Sequence, residues 1–541
     1  MVTIVGSYNV TPNQPTPKDP SWLSDSDQIG VLGHVANVYI YEANPNSNTI
    51  ERLRNSLSKL LVYYYPFAGR FSLTKSGRIE VDCNAKGVTL IEAKTSHTLD
   101  DYGDFSPSKL TEELVPDIDY TPPIEEIPLL LLQFTRFHCG KGLAIGVVIS
   151  HPMTDATGLT QFMNRWAKLA RGEELNPNEI PFLDRTLLKF PHQPSSQRVD
   201  QPELKPVLQL EQKKNARWSG ALLKLKSSQV ERLKKKANDE PSREGARPYS
   251  RFESIAAHIW RCASKARAES GENSNSNHPT IVRFSVNFRN RLLTPPIPEN
   301  YLGNALARTM TPKCYEGDII SKPLGYAAQK IREAVNAVTG EYVKSQLSVG
   351  LGQEQVDHIR AFFMGQGHGT KPAYARDHNI LLTSWMNMPV YEADFGWGKP
   401  MQFTLAHVFQ QVDRVGIFPS PDGDGVVVYL NFETAQLQLL KKLFYADMKK
   451  VLLRGVASGS VLGVQSFFLR EFLNVSTPTT MGAQTIGVET SKNNDGCTHQ
   501  PTLTYCQTTM GESATDVEMD TQQRWVLGVP DVEMDHNNDG S

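Results

Sequence analysis

The sequence predicts an α/β protein with two folded domains and a polar C-terminal extension, and three observations carry that prediction. The chain has 541 residues, too many for one ordinary hydrophobic core. Its apolar residues alternate between helical spacing and short continuous runs, the patterns of amphipathic helices and buried strands. The composition also shifts twice. These shifts divide the chain into a first domain over 1–190, a linker or crossover over 191–215, a second domain over 216–448, and an atypical extension over 449–541.

The elements follow in order. Ile50, Leu53, Leu57, Leu60, Leu61 and Tyr64 recur at helical spacing, with Asn48 and Glu51 as a capping pair. Leu129–Phe137 and Leu143–Ser150 read as strands joined by a turn at Cys139–Gly142. A second helix follows Asp155, with Leu159, Phe162, Met163, Trp166 and Leu169 on one face. The linker is rich in Pro, Gln, Ser and Lys. Beyond it, Phe252, Ile255, Ala256, Ile259, Trp260 and Ala263 mark an amphipathic helix. Ala237–Tyr249 and Asn273–His278 read as exposed loops, and Leu381–Trp385 as a strand. From Ser476 onward the chain is polar, with Asp-Val-Glu-Met-Asp at 516–520 and again at 531–535, a composition that predicts disorder.

The bulk numbers narrow the function. Hydrophobic residues make up 39% and charged residues 21%, and the formal net charge is −2, so nothing asks for nucleic acid or an anionic membrane as partner. The six cysteines include no C-x-x-C pair and read as reduced thiols. The start MVTIVGSYN lacks the pattern of a secretory signal, and the longest apolar runs are too short to span a bilayer. A cytoplasmic location is the expectation.

Two segments carry chemistry. In LAIGVVISHPMTDATGL an apolar strand ends at His151, Asp155 follows four residues later, and small residues lead into a helix. A histidine held at a strand mouth accepts and returns a proton near neutrality. Asp155 either orients it or holds the turn by pairing with an arginine. His97 and Asp101 repeat the spacing in a polar stretch without a preceding strand, and read as a surface coincidence. In LLTSWMNMPVYEADFGWGKP, Thr383 and Trp385 offer hydrogen-bond donors suited to a developing oxyanion. Asp394 reads locally as a turn carboxylate. Its Asp-Phe-Gly is not the kinase triplet, since no glycine-rich nucleotide loop or H-R-D loop accompanies it. No G-x-S-x-G elbow, H-E-x-x-H, Walker loop or dinucleotide fingerprint occurs. Gly365–Gly369 has no helix pattern after it, and no histidine set has metal-ligand spacing.

Together, His151-x-x-x-Asp155 and Asp394-Phe-Gly-Trp-Gly398 resemble the two signature motifs of the plant BAHD acyltransferases. Further blocks stand in family order: YYPFAGRF at 64–71, WAKLARGE at 166–173, FESIAAHIWRCASKAR at 252–267, VNFRNRL at 286–292, YLGNA at 301–305 and PSPDGDG at 419–425. The resemblance spans residues 1–448. It implies two similar domains of mixed β-sheet with flanking helices and an active-site channel between them. It also implies a monomer that uses acyl-CoA as co-substrate, with no permanently bound cofactor and no metal. His151 would be the general base, with Asp394, Thr383 and Trp385 in the catalytic set. Asp155, Arg289, Gly396 and Gly398 would support the motifs, with Arg289 paired to Asp394. Ser254 is the candidate CoA contact.

The blocks LSDSDQ at 23–28 and HVANVYIYE at 34–42 look most like the spermidine hydroxycinnamoyl transferase branch. Its shikimate and quinate relatives carry an arginine at the position taken here by Thr370, beside Lys371. An amine acceptor, a polyamine such as spermidine, is therefore expected, with Glu392 and Asp377 as conceivable neighbours. O-transfer to shikimate or quinate is the alternative. A non-catalytic interaction protein is the reading from another class.

Overall fold

The computed structural model describes residues 1–453 apart from 45, 47, 139, 192–216, 240–244, 271–276, 293, 295, 349–351, 364–377 and 411. Linker residues 192–215, the glycine-rich 365–369, Thr370, Lys371, Asp377 and extension residues 454–541 lie outside the described residues, while 449–453 continue the helix Thr434–Leu453 across the expected boundary at 448.

Two six-stranded mixed sheets organise the chain. The first runs Val2–Val10, Val88–Thr95, Leu130–Arg136, Gly142–Ser150, His34–Glu42, Gln402–Leu405. The second runs Leu306–Met310, Val282–Asn287, Ile380–Ser384, Arg414–Pro419, Val426–Glu433, Trp218–Leu225. One strand crosses the halves. Gln402–Leu405 follows the D-F-G-W-G segment but pairs antiparallel with His34–Glu42, Phe403 opposite Tyr39. Period-two burial explains both faces of the first sheet. Leu143, Ile145, Val147 and Ile149 join Tyr39 and Tyr41 in one core, while Ala144 and Val148 join Ala36, Val38 and Ile40 in another. The helices Thr49–Tyr63 and Ala156–Ala170 cover the first of these faces through Leu53, Leu57, Phe162 and Trp166.

In the second sheet Val415, Ile417, Val428 and Leu430 face a core built with Leu233, Trp260 and Ile331. The opposite face sends Trp385, Phe418 and Tyr429 into the core of the first half. The two halves thus share apolar packing at the end of the second sheet that carries the T-S-W segment.

Local details differ from the sequence expectation. Asn48 does not cap its helix with its side chain; Asn46 Oδ1 instead accepts from Asn48 N and Thr49 Oγ1. The helix Arg251–Glu269, capped by Ser250 and Glu253, is buried on almost every face and is a central helix rather than an amphipathic one. Ala237 and Tyr249 are not loop surface. Ala237 ends the helix Ser227–Asn238, and Tyr249 is buried with its hydroxyl on Gln329 Oε1 at 2.9 Å. Cys83, Cys262 and Cys314 are buried thiols. Among the described residues no helix is long and apolar enough to cross a membrane.

Candidate active site

Strand Gly142–Ser150 is buried along its whole length and delivers His151 at its end. The His151 N–H donates to Gly33 O at 3.1 Å, extending the ladder with His34–Glu42 by one residue. Pro152 then opens a single 3-10 turn, His151–Met153. Thr154 is extended and Asp155 caps the helix Ala156–Ala170, its Oδ1 accepting from Gly158 N at 3.1 Å. Only glycine fits at 158, because a Cβ there would stand 2.1 Å from Thr154 Oγ1.

Asp155 is the anchor of this turn, not an orienter of the imidazole. Arg289 grips it with two prongs, Nη1 to Oδ2 at 2.7 Å and Nη2 to Oδ1 at 3.2 Å, and Ala305 N donates to Oδ2 at 3.1 Å. Its side chain is 1% exposed. The expected Arg289–Asp394 pair is therefore absent. Asn287 Oδ1 accepts from Arg289 N at 3.0 Å, and that turn aims the guanidinium at Asp155.

Asp394 shapes its own loop. Its Oδ1 accepts from Gly396 N at 2.7 Å and Gly398 N at 2.9 Å, and both glycines have positive φ, +95° and +105°. The loop docks on the first half. Phe395 packs edge-on against Trp166 at 4.9 Å, Tyr41 Oη donates to Ala393 O at 2.8 Å, and Arg171 donates to the Asp394 carbonyl. The D-F-G-W-G segment is a latch between halves.

Thr383 and Trp385 lie on the face of Ile380–Ser384 turned from the helical core, where Ile380 and Leu382 point. Trp385 stacks on Phe403 at 5.3 Å, and neither its indole N–H nor the Thr383 hydroxyl makes a hydrogen bond among the described residues. Downstream of Trp385, Thr157 Oγ1 reaches Met388 Sδ at 3.8 Å and Asn164 Nδ2 reaches Pro389 O at 3.1 Å. These bonds tie the T-S-W strand to the helix that Asp155 starts.

Burial pushes the His151 pKa below its ordinary value. A hydrogen bond to its own backbone opposes this, Arg308 and Arg414 push it down further, and Asp155 pushes it up. A neutral imidazole at neutral pH is the form able to accept a proton. Ser254 is fully buried with its hydroxyl turned onto Ser250 O at 2.9 Å, so it presents no group to a ligand. His97 and Asp101 sit 3.8 Å apart on the surface, with the chain's amino terminus 2.9 Å from His97 Nε2.

Sequence reasoning missed Asp27, Arg185 and Asn304, which brace the His151 turn, and the two arginines acting on its charge. Ser24-x-x-Asp27 was visible as a capping box, but a cap does not say what else its carboxylate holds.

The sequence profile of the Transferase family matches residues 1–447. The hydroxycinnamoyl-CoA:piscidic acid hydroxycinnamoyltransferase of Actaea racemosa is 36% identical over 460 residues, covering 83% of this chain and all of that one. The shikimate O-hydroxycinnamoyltransferase of Nicotiana tabacum is 32% identical, covering 82% and 99%. A 5-hydroxyanthranilate N-hydroxycinnamoyltransferase of Avena sativa is also 32% identical, with the same coverage. Vinorine synthase shares the fold at a TM-score of 0.60 and 22% identity, over 82% of this chain and 98% of its own.

Proposed function

The chain belongs to the Transferase family, the acyl-CoA-dependent BAHD acyltransferases, and from that premise we propose that it moves a hydroxycinnamoyl group from CoA to a small acceptor carrying a carboxylate. His151 takes the proton from the acceptor nucleophile as that atom attacks the thioester carbonyl. The Trp385 indole N–H or the Thr383 hydroxyl stabilises the tetrahedral oxyanion, and protonated His151 then gives its proton to the departing CoA sulfur. No acyl-enzyme forms. General-base help supplies on the order of 10²–10⁴ in rate, and positioning with oxyanion stabilisation supplies the rest.

The single observation that carries the histidine's role is its setting: a rigid strand end, a depressed pKa, and a motif aspartate fully committed to Arg289. Two acceptor readings remain. The polyamine expectation rested on the blocks LSDSDQ and HVANVYIYE and on Thr370 in place of an arginine; within the first block Asp25 pairs with Arg78 and Asp27 is buried, while Thr370 lies outside the described residues. The guanidinium groups of Arg308 and Arg414 act on His151, opposed by Asp155, and two cations against one carboxylate support an acid over a polycation as acceptor. Two of the relatives above are named for transfer to an acid, piscidic acid and shikimate, and a third for N-transfer to an anthranilate.

The test compares initial rates with coumaroyl- and caffeoyl-CoA against shikimate, quinate, anthranilate, agmatine and spermidine. Acids should turn over faster than polyamines. Faster acylation of spermidine restores the polyamine reading, and no turnover with any acceptor supports the non-catalytic alternative.

A further inference from the structure

Three consecutive carbonyls of the turn carrying His151 are each held by a side-chain donor, and both donors rest on one carboxylate. Asp27 lies in the short helix Asp25–Gln28. Its Oδ2 accepts from Ser24 N at 2.8 Å and Ser24 Oγ at 2.7 Å, and faces Arg185 Nη1 at 3.0 Å. Its Oδ1 accepts from Asn304 N at 2.7 Å and Asn304 Nδ2 at 3.0 Å. Asn304 Nδ2 also donates to the His151 carbonyl at 2.9 Å. Arg185 Nη2 donates to the Met153 carbonyl at 2.7 Å, and Nη1 reaches the Pro152 carbonyl at 3.4 Å.

Charge and burial make this a rigid arrangement. The Asp27 side chain has no exposure and that of Arg185 is 3% exposed, so neither ion can exchange its partner for water. Asn304 fixes the carbonyl of the residue that carries the imidazole, and with Arg185 it fixes the turn from which the ring projects. A general base needs a third group to hold its ring, and Asp155 is already committed to Arg289.

We propose that Asp27 is a positioning residue for His151, acting through Asn304 and Arg185 on the carbonyls of residues 151–153. The inference rests on His151 being the proton acceptor. Positioning makes a specific demand on kinetics. A ring displaced by a fraction of an ångström loses rate in the chemical step, while the surfaces that bind acyl-CoA and acceptor are untouched. A purely structural role predicts the reverse: lower stability and normal kcat in the molecules that remain folded.

The experiment measures kcat, both KM values and Tm for Asp27→Asn, Asp27→Ala, Asn304→Ala, His151→Ala and Leu233→Ala. Leu233 is buried in the helical core on the other face of the second sheet and serves as a stability control. Expected is a kcat loss of about 10–100-fold in Asp27→Ala and Asn304→Ala, with both KM values within about threefold of wild type. Asp27→Asn, which keeps one oxygen for Asn304, should fall between these and wild type. Leu233→Ala should lose Tm and keep kcat. If an Asp27 variant fails to fold, Asn304→Ala decides, because it leaves the Asp27–Arg185 pair in place. A kcat within twofold of wild type in Asn304→Ala overturns the inference. An active His151→Ala would instead overturn the general-base reading beneath it.

Discussion

Replacing Asp155 by Asn should destabilise the protein by several kcal/mol, since it breaks a buried ion pair from one side. The wild-type carboxylate receives four donors, Gly158 N, Ala305 N and both Arg289 prongs, at 2.7–3.2 Å. The side chains of the pair are 1% and 6% exposed, so the guanidinium left behind stays desolvated. Breaking such a buried pair from one side costs about 3–5 kcal/mol. An unfolding entropy of about 2.1 cal/mol/K per residue over roughly 450 residues gives about 1 kcal/mol per degree, hence a Tm drop of about 3–5 °C. Arg289→Met should cost a similar amount. The double variant should cost less than the sum by about 1–3 kcal/mol, since it removes the stranded charge. The assay is thermal unfolding of the four proteins of this cycle. Single variants within one degree of wild type, or strictly additive losses, would refute the pair as the anchor of the turn.

Asp394 should behave differently. Asp394→Ala removes the acceptor of two backbone donors at a half-buried site and should cost about 1–3 kcal/mol, while Asp394→Asn keeps an oxygen and should cost less than half of that, both read by denaturant unfolding. His34 is pushed down to about 4 by burial. Because the folded state holds it neutral while the unfolded chain protonates near 6.5, stability should fall by up to about 3 kcal/mol as pH drops from 6.5 to 4. His34→Phe should flatten that slope, and an unchanged slope would assign the acid loss to other groups. His151 must be neutral to accept a proton, so the acidic limb of kcat/KM should lie below pH 6.5. Arg414→Gln removes a cation that holds the pKa down and should move that limb to higher pH; a limb that stays put removes Arg414 from the site's electrostatics.

Elements whose signal is local were legible in the sequence. The strand before His151 and the helix after Asp155 follow from apolar runs and helical spacing, and the structure has them at Gly142–Ser150 and Ala156–Ala170. Pairings across the chain were not. Both motifs carry an aspartate, and nothing in either says which one Arg289 reaches; the choice follows from the turn set by Asn287 and the backbone of Ala305. Gln402–Leu405 reads like any short strand, yet its place in the first sheet depends on the D-F-G-W-G loop docking beside Tyr41 and Trp166. LSDSDQ looked like a mark of acceptor choice. Its carboxylates sit on Arg78, Arg185 and Asn304, partners 53–277 residues away.

The most direct test of the account is the turnover of coumaroyl-CoA by His151→Ala, measured at saturating acceptor beside the wild-type protein. Loss of the general base should lower kcat by about 10²-fold or more with the fold retained. A variant that keeps more than about a tenth of the wild-type rate would contradict the assignment of His151 as the group that takes the proton.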